Sequence, residues 1–106
     1  MTVEKILEQF DATKKNELGD SVKIGWLAEV EGRILYEIMG RSPDEVTLPK
    51  RSADELILPE GFSRIYLLYL AAMTELCADN HSAYATLKGE FESQLSSYAK
   101  YLIRNR

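Results

Sequence analysis

Between Phe62 and Ala78 the chain places apolar side chains on nearly every face of a helix. Ile65, Leu68, Tyr69, Ala72, Met73 and Leu76 form one stripe, and Tyr66, Leu67 and Leu70 widen it. A helix that is apolar all round belongs at the centre of a bundle or beneath another subunit. The rest of the chain must therefore supply covering elements, which narrows the fold to packed helices. The apolar run from Ile65 to Met73 reaches about half of the roughly 20 residues that a membrane span needs, and Glu75 follows it at once. We therefore expect a buried helix in a soluble protein.

Three further segments carry helical periodicity. Val3, Ile6, Leu7 and Phe10 recur at i, i+3, i+4 and i+7 behind Thr2, a residue suited to N-capping. This predicts a first helix over about 2–13, ended by the turn chemistry of Asn16, Gly19 and Asp20. Leu27, Val30, Ile34 and Ile38, flanked by Trp26 and Leu35, predict a second helix over about 20–39, capped by Asp20 or Ser21. Gly40 suits a left-handed C-cap there, and Pro43 prevents the helix from resuming. Gly25 and Gly32 lie inside it, each costing about 1 kcal/mol relative to alanine, which implies either a close backbone approach or an irregular helix. The central helix then covers about 62–78. After the cap-rich turn Asp79-Asn80-His81-Ser82, the stripe Tyr84, Leu87, Phe91, Leu95, Tyr98 and Leu102 predicts a last helix over about 81–103. The short link makes the last two helices an antiparallel hairpin, and Lys100, Arg104 and Arg106 complement the last helix's dipole.

From 41 to 59 the pattern lapses. Pro43, Pro49 and Pro59 punctuate a polar stretch that closes in Leu56-Ile57-Leu58. Connections inside compact domains are typically about 4–6 residues, so a loop of this length is expected to be functional or mobile. One reading tucks Leu56 and Leu58 against the bundle. The other leaves Thr47 to Leu58 poorly ordered in a single subunit and orders it against a neighbour.

With 106 residues, 45% of them hydrophobic, the chain suits one domain with a true core. The formal net charge is -4, and basic residues occur only in small groups such as Lys14-Lys15 and Lys50-Arg51, which argues against a nucleic-acid footprint. Met1 to Ile6 contain no basic region followed by an apolar stretch, so no signal peptide is expected.

Chemistry-bearing residues are sparse. His81 is the sole histidine and sits among cap residues, which suits surface or capping duty better than general-base work. Cys77 is the sole cysteine, lies in an apolar pattern and is expected to be a buried, inert thiol. The two stand four residues apart, but the turn at Asp79-Asn80 breaks the geometry a nucleophilic pair needs. The Glu-x-x-His pattern of helical metal sites fails because Ala78 stands three residues before His81. Glu75 and Asp79 are expected at a solvated surface, and no glycine-rich phosphate loop occurs. The repeat Tyr84, Phe91, Tyr98 lacks the interleaved positive charge of a base-stacking face. No catalytic residue, metal site or cofactor is expected.

Some of these residues also carry a resemblance. The stretch Lys23-Ile24-Gly25-Trp26-Leu27-Ala28-Glu29-Val30-Glu31-Gly32-Arg33-Ile34 resembles the "K-I-x-W-L-x-E-L-[DE]-G-x-I" helix of head-tail connector proteins, the adaptor or head-completion proteins of phages and prophages of Gram-positive bacteria. Leu58-Pro59-Glu60-Gly61-Phe62, Ile65-Tyr66 and Tyr69-Leu70-Ala71-Ala72 are similar to that family's "L-x-x-P-x-x-Y-x-x-[LI]-Y-x-x-Y-L-x-A" segment, with proline and aromatic shifted by one residue. Tyr84, Phe91, Tyr98 and Tyr101 match the aromatic pattern of its final helix. Ala85-Thr86 stand where the family often has asparagines, and the first helix matches only in apolar spacing. The resemblance covers about Lys23 to Tyr101.

The expected fold is thus all-α, a small four-helix bundle-like domain with an extended loop between helices 2 and 3. The resemblance implies a homo-oligomeric ring beneath the portal that joins capsid to tail. Its partners would be itself, the portal and tail-completion proteins, first in the bacterial cytoplasm and then at the head-tail junction of the virion. The candidate interface is Leu56, Ile57, Leu58, Tyr66, Leu67 and Leu70. Two rival readings are a small bacterial adaptor or regulator acting as a dimer, and a metal or cysteine enzyme.

Overall fold

The computed structural model describes residues 1–105. Arg106, one of the residues expected to complement the last helix's dipole, lies outside the described residues. Four α-helices make up the fold: α1 (Val3–Thr13), α2 (Asp20–Arg33), α3 (Arg64–Cys77) and α4 (His81–Arg104). No strand is present among the described residues, and the all-α architecture is the expected one.

α1 begins where Thr2 accepts a hydrogen bond from the Lys5 N–H at 3.3 Å. Its buried residues are Val3, Ile6, Leu7 and Phe10, the stripe read from the sequence. α2 departs from expectation at its start. Gly19 holds the cap position without a side-chain bond, and Asp20 sits in the first turn with its carboxylate 3.6 Å from the Lys23 ammonium. Asp20 therefore acts by charge near the positive end of the helix dipole.

The second half of the expected second helix is irregular. Ile34–Ile38 form a π-turn in which the Met39 N–H donates to the Ile34 carbonyl at 2.9 Å. Such a turn inserts one residue into the helical ladder and re-aims the side chains beyond it. Here the Tyr36 ring comes to lie over Gly32, 3.5 Å from where a β-carbon would stand. Of the two explanations open for the glycines, local irregularity applies at Gly32, next to the π-turn. Gly25 lies in regular helix with nothing within 4 Å of its would-be β-carbon, so neither explanation applies to it. The turn closes at Gly40 with φ +67, the left-handed conformation expected of that residue.

α3 lies at the centre. Its buried side chains Ile65, Tyr66, Leu68, Leu70 and Ala72 point in several directions, as a helix covered by α1, α2 and α4 requires. Asp79, at φ +59, turns the chain, and the Asn80 side chain caps α4 by accepting from the Ala83 N–H. α3 and α4 then pack along one another. Phe91, Leu95 and Tyr98 carry α4 into the core, while Tyr84, Leu87 and Leu102 stay half-buried.

Candidate interaction site

The segment between the π-turn and α3 forms a short 3-10 turn, Pro43–Glu45, and then a strap over residues 46–58 that lies across the helices. At one point it pairs with the start of the chain. The Val3 N–H donates to the Asp54 carbonyl, the Glu4 N–H to Ser52 and the Leu56 N–H to Met1, all within 2.8–2.9 Å. The Met1 ammonium reaches Glu55 Oε2 at 2.9 Å. A bend before this contact is held by the Asp54 carboxylate, which accepts from the Lys50 and Arg51 N–H groups at 2.8 and 2.9 Å. Those two donors keep the Asp54 carboxyl below its usual range.

The strap's second attachment is a buried polar cluster. Glu31, 3% exposed, accepts from the Tyr66 hydroxyl through Oε1 at 2.5 Å and from the Ile57 N–H through Oε2 at 2.9 Å. The Leu58 N–H donates in turn to the Tyr66 oxygen at 3.0 Å. Burial raises Glu31 above the ordinary carboxylate range against the pull of these two donors, and burial beside Glu31 also pushes the Tyr66 hydroxyl up. Backbone groups that have left helical structure are costly to bury unpaired, and α2 and α3 supply the missing acceptors.

This geometry corrects the candidate interface. Leu56 and Leu58 are 5% and 2% exposed, and Tyr66 and Leu70 are fully buried, so all four belong to the subunit's own core. The strap is not a segment left without contacts in a single subunit. Its leucines join the core cluster formed with residues of α1, α2 and α3, and the Leu56, Ile57 and Leu58 N–H groups all have acceptors. Ile57 and Leu67 remain half-exposed. Leu67 lines a shallow groove of about 350 Å³ with Phe10, Leu68 and Ala71, edged by Lys14 and Arg64. A second groove of about 450 Å³ runs along the outer face of α2 over Gly25, Ala28 and Gly32, walled by Tyr36 and Leu48.

Charged residues cross-link the helices. Arg33 makes a forked pair with Glu92 of α4 at 2.5 and 3.0 Å, and its Nε reaches Glu37 at 2.8 Å. Glu92 holds the Arg33 guanidinium above its usual value, while Arg33 and Lys88 hold the Glu92 carboxyl below its own. Lys14 bonds Glu75 at 2.6 Å, so Glu75 is an inter-helix partner and not the solvated carboxylate expected. Asp79 is exposed, as read.

Two other expectations concern the reactive residues. His81 is exposed at the first position of α4, its Nε2 4.0 Å from Asp79. Cys77 is exposed, not buried: it is the last residue of α3 and lies at the surface. Among the described residues no group of three or more His, Cys, Asp or Glu stands close enough to hold a metal ion, and no helix is long and apolar enough to cross a membrane.

Sequence reading overlooked Lys23 and Glu31 as buried positions. Their spacing carried the signal: Lys23 stands four residues before Leu27, and Glu31 four after it and three before Ile34, so both share the buried face of α2. Comparison with family models, with curated proteins and with solved structures finds no match to this chain.

Proposed function

We propose that the chain is a structural subunit of the head-tail connector type. In this reading it assembles with copies of itself into a ring between portal and tail, and works through protein contacts without a catalytic centre. The observation that supports it most is where the resemblance falls. Its densest stretch is α2 with Ile34 after it, and that stretch holds the two buried charged residues and part of the core. Lys23 bonds Asp11, Glu31 holds the strap and Tyr66, and Ile34 enters the core. A chain that shares this pattern has reason to share the arrangement of helix, strap and helix.

A ring of identical subunits needs a heterologous contact, one face meeting a different face of the neighbour. The half-exposed Ile57 and Leu67 are the members of the expected interface with surface to offer, and Val22, Tyr36, Tyr101 and Ile103 are the large apolar side chains exposed elsewhere. The proposal places the protein in the bacterial cytoplasm during assembly and afterwards at the virion junction.

Particle assembly tests it. Removal of the protein from a producing strain should leave heads and tails unjoined, and resupply should restore joining. Normal particles without it would overturn the reading, and a stable dimer with no part in particles would favour a small adaptor or regulator.

A further inference from the structure

The strap meets the helices at a point where an ionisable group is buried with no counter-charge among the described residues. Glu31 projects from α2 and among the described residues takes part in no salt bridge, and its partners there are the Tyr66 hydroxyl of α3 and the Ile57 N–H of the strap. The groups facing it are few. Tyr66 stands on α3 and Tyr98 on α4, and Glu55 lies on the strap. Arg41 and Glu45 border the same cavity from the turn after the π-segment, and Arg41 forms no salt bridge with Glu31. The Met1 ammonium nearby is taken by Glu55.

We infer that Glu31 is a proton-operated clasp for the strap: the docked strap is held most firmly while Glu31 carries a proton, and it loosens as Glu31 ionises. A docked strap strips water from the carboxylate and offers two donors but no cation in exchange. An open strap returns the carboxylate to water. Burial therefore penalises the charged form only in the docked state, which is why Glu31 lies above its usual range there. Proton binding and docking are then linked with a definite sign. The docked state binds the proton more tightly, so docking is strongest below the ordinary glutamate value and weakens as pH rises through the raised one. Protonation weakens the bond at the oxygen that takes the proton and leaves the other oxygen a full acceptor.

Opening also uncovers Leu56 and Leu58, so the clasp governs when the chain shows apolar strap surface. This inference stands independently of the connector role.

The test uses the intact protein. Side-chain carboxyl NMR follows Glu31 while hydrogen exchange gives protection factors for the Ile57 and Leu58 amides, from about pH 4 to about pH 8. Protection at Ile57 and Leu58 should fall as pH rises, with the midpoint of the Glu31 titration, while amides inside α3 and α4 hold steady. Glu31→Gln should abolish that dependence. Tyr66→Phe, which removes a bond favouring the charged form, should move the Glu31 titration and the loss of protection upward together. Strap protection independent of pH in the wild-type protein would overturn the inference. So would a pH dependence shared equally by α3 and α4, or a Glu31 titration at or below the ordinary glutamate value.

Discussion

The Lys23 ammonium, on a side chain only 3% exposed, lies 2.8 Å from the Asp11 carboxylate and so ties the first turn of α2 to the last turn of α1. The lysine stem packs inward while its charge reaches the edge of the core. Asp11→Asn leaves that ammonium with Asp20 at 3.6 Å as its remaining carboxylate. Breaking one side of a buried pair costs about 3–5 kcal/mol, and the half-exposed position of Asp11 reduces this to about 1–2 kcal/mol. Lys23→Met keeps the stem's volume and removes the charge, so it should cost less than about 1 kcal/mol. Urea denaturation of both variants measures the difference.

Acid should destabilise the fold through particular pairs. Lys23 and Asn16 hold the Asp11 carboxyl below its usual range, and Arg33 and Lys88 do the same for Glu92. A lowered carboxylate contributes stability that is present above its unfolded value and lost as pH falls through its folded one. Unfolding midpoints should therefore drop as pH falls below about 4, and drop less steeply in Asp11→Asn.

Strap residues that look alike in sequence should behave differently. Leu58→Ala removes a core side chain and should cost about 2–5 kcal/mol. Ile57→Ser, at a half-exposed position, should leave thermal stability close to wild type. If Ile57 also contacts a neighbouring subunit, Ile57→Ser should reduce joined particles while the protein stays folded.

Cys77 supplies a simple check. An exposed thiol should react with a thiol reagent in the native protein as fast as in the unfolded chain, and Cys77→Ser should change stability by less than about 0.5 kcal/mol. Slow labelling under native conditions would place Cys77 in the core after all.

Two glycines should respond in opposite directions to alanine. Gly40→Ala forces a β-carbon into a left-handed conformation and should cost about 1 kcal/mol. Gly25→Ala meets open space within α2 and should stabilise the protein by about 0.5–1 kcal/mol. Denaturation curves resolve both.

Local chemistry made much of this protein legible from its sequence. The apolar spacing of Val3, Ile6, Leu7 and Phe10, the cap at Thr2, the stop at Gly40 and the all-round apolar α3 each follow from interactions within a few residues, so the helices and their class were determined by the chain itself. The π-turn was signalled only by Gly32, because a widened ladder leaves no spacing of its own. Tertiary structure decided what lies across those helices. Leu56 and Leu58 are core residues because the strap's bonds to Met1, Glu31 and Tyr66 bring them into the cluster of α1, α2 and α3, and Cys77 is exposed although the helix that carries it is apolar on nearly every face. Glu31 is buried because Tyr66 and the strap close over it from distant parts of the sequence. A charged side chain is solvated by default, and only partners brought together by the fold make its burial possible.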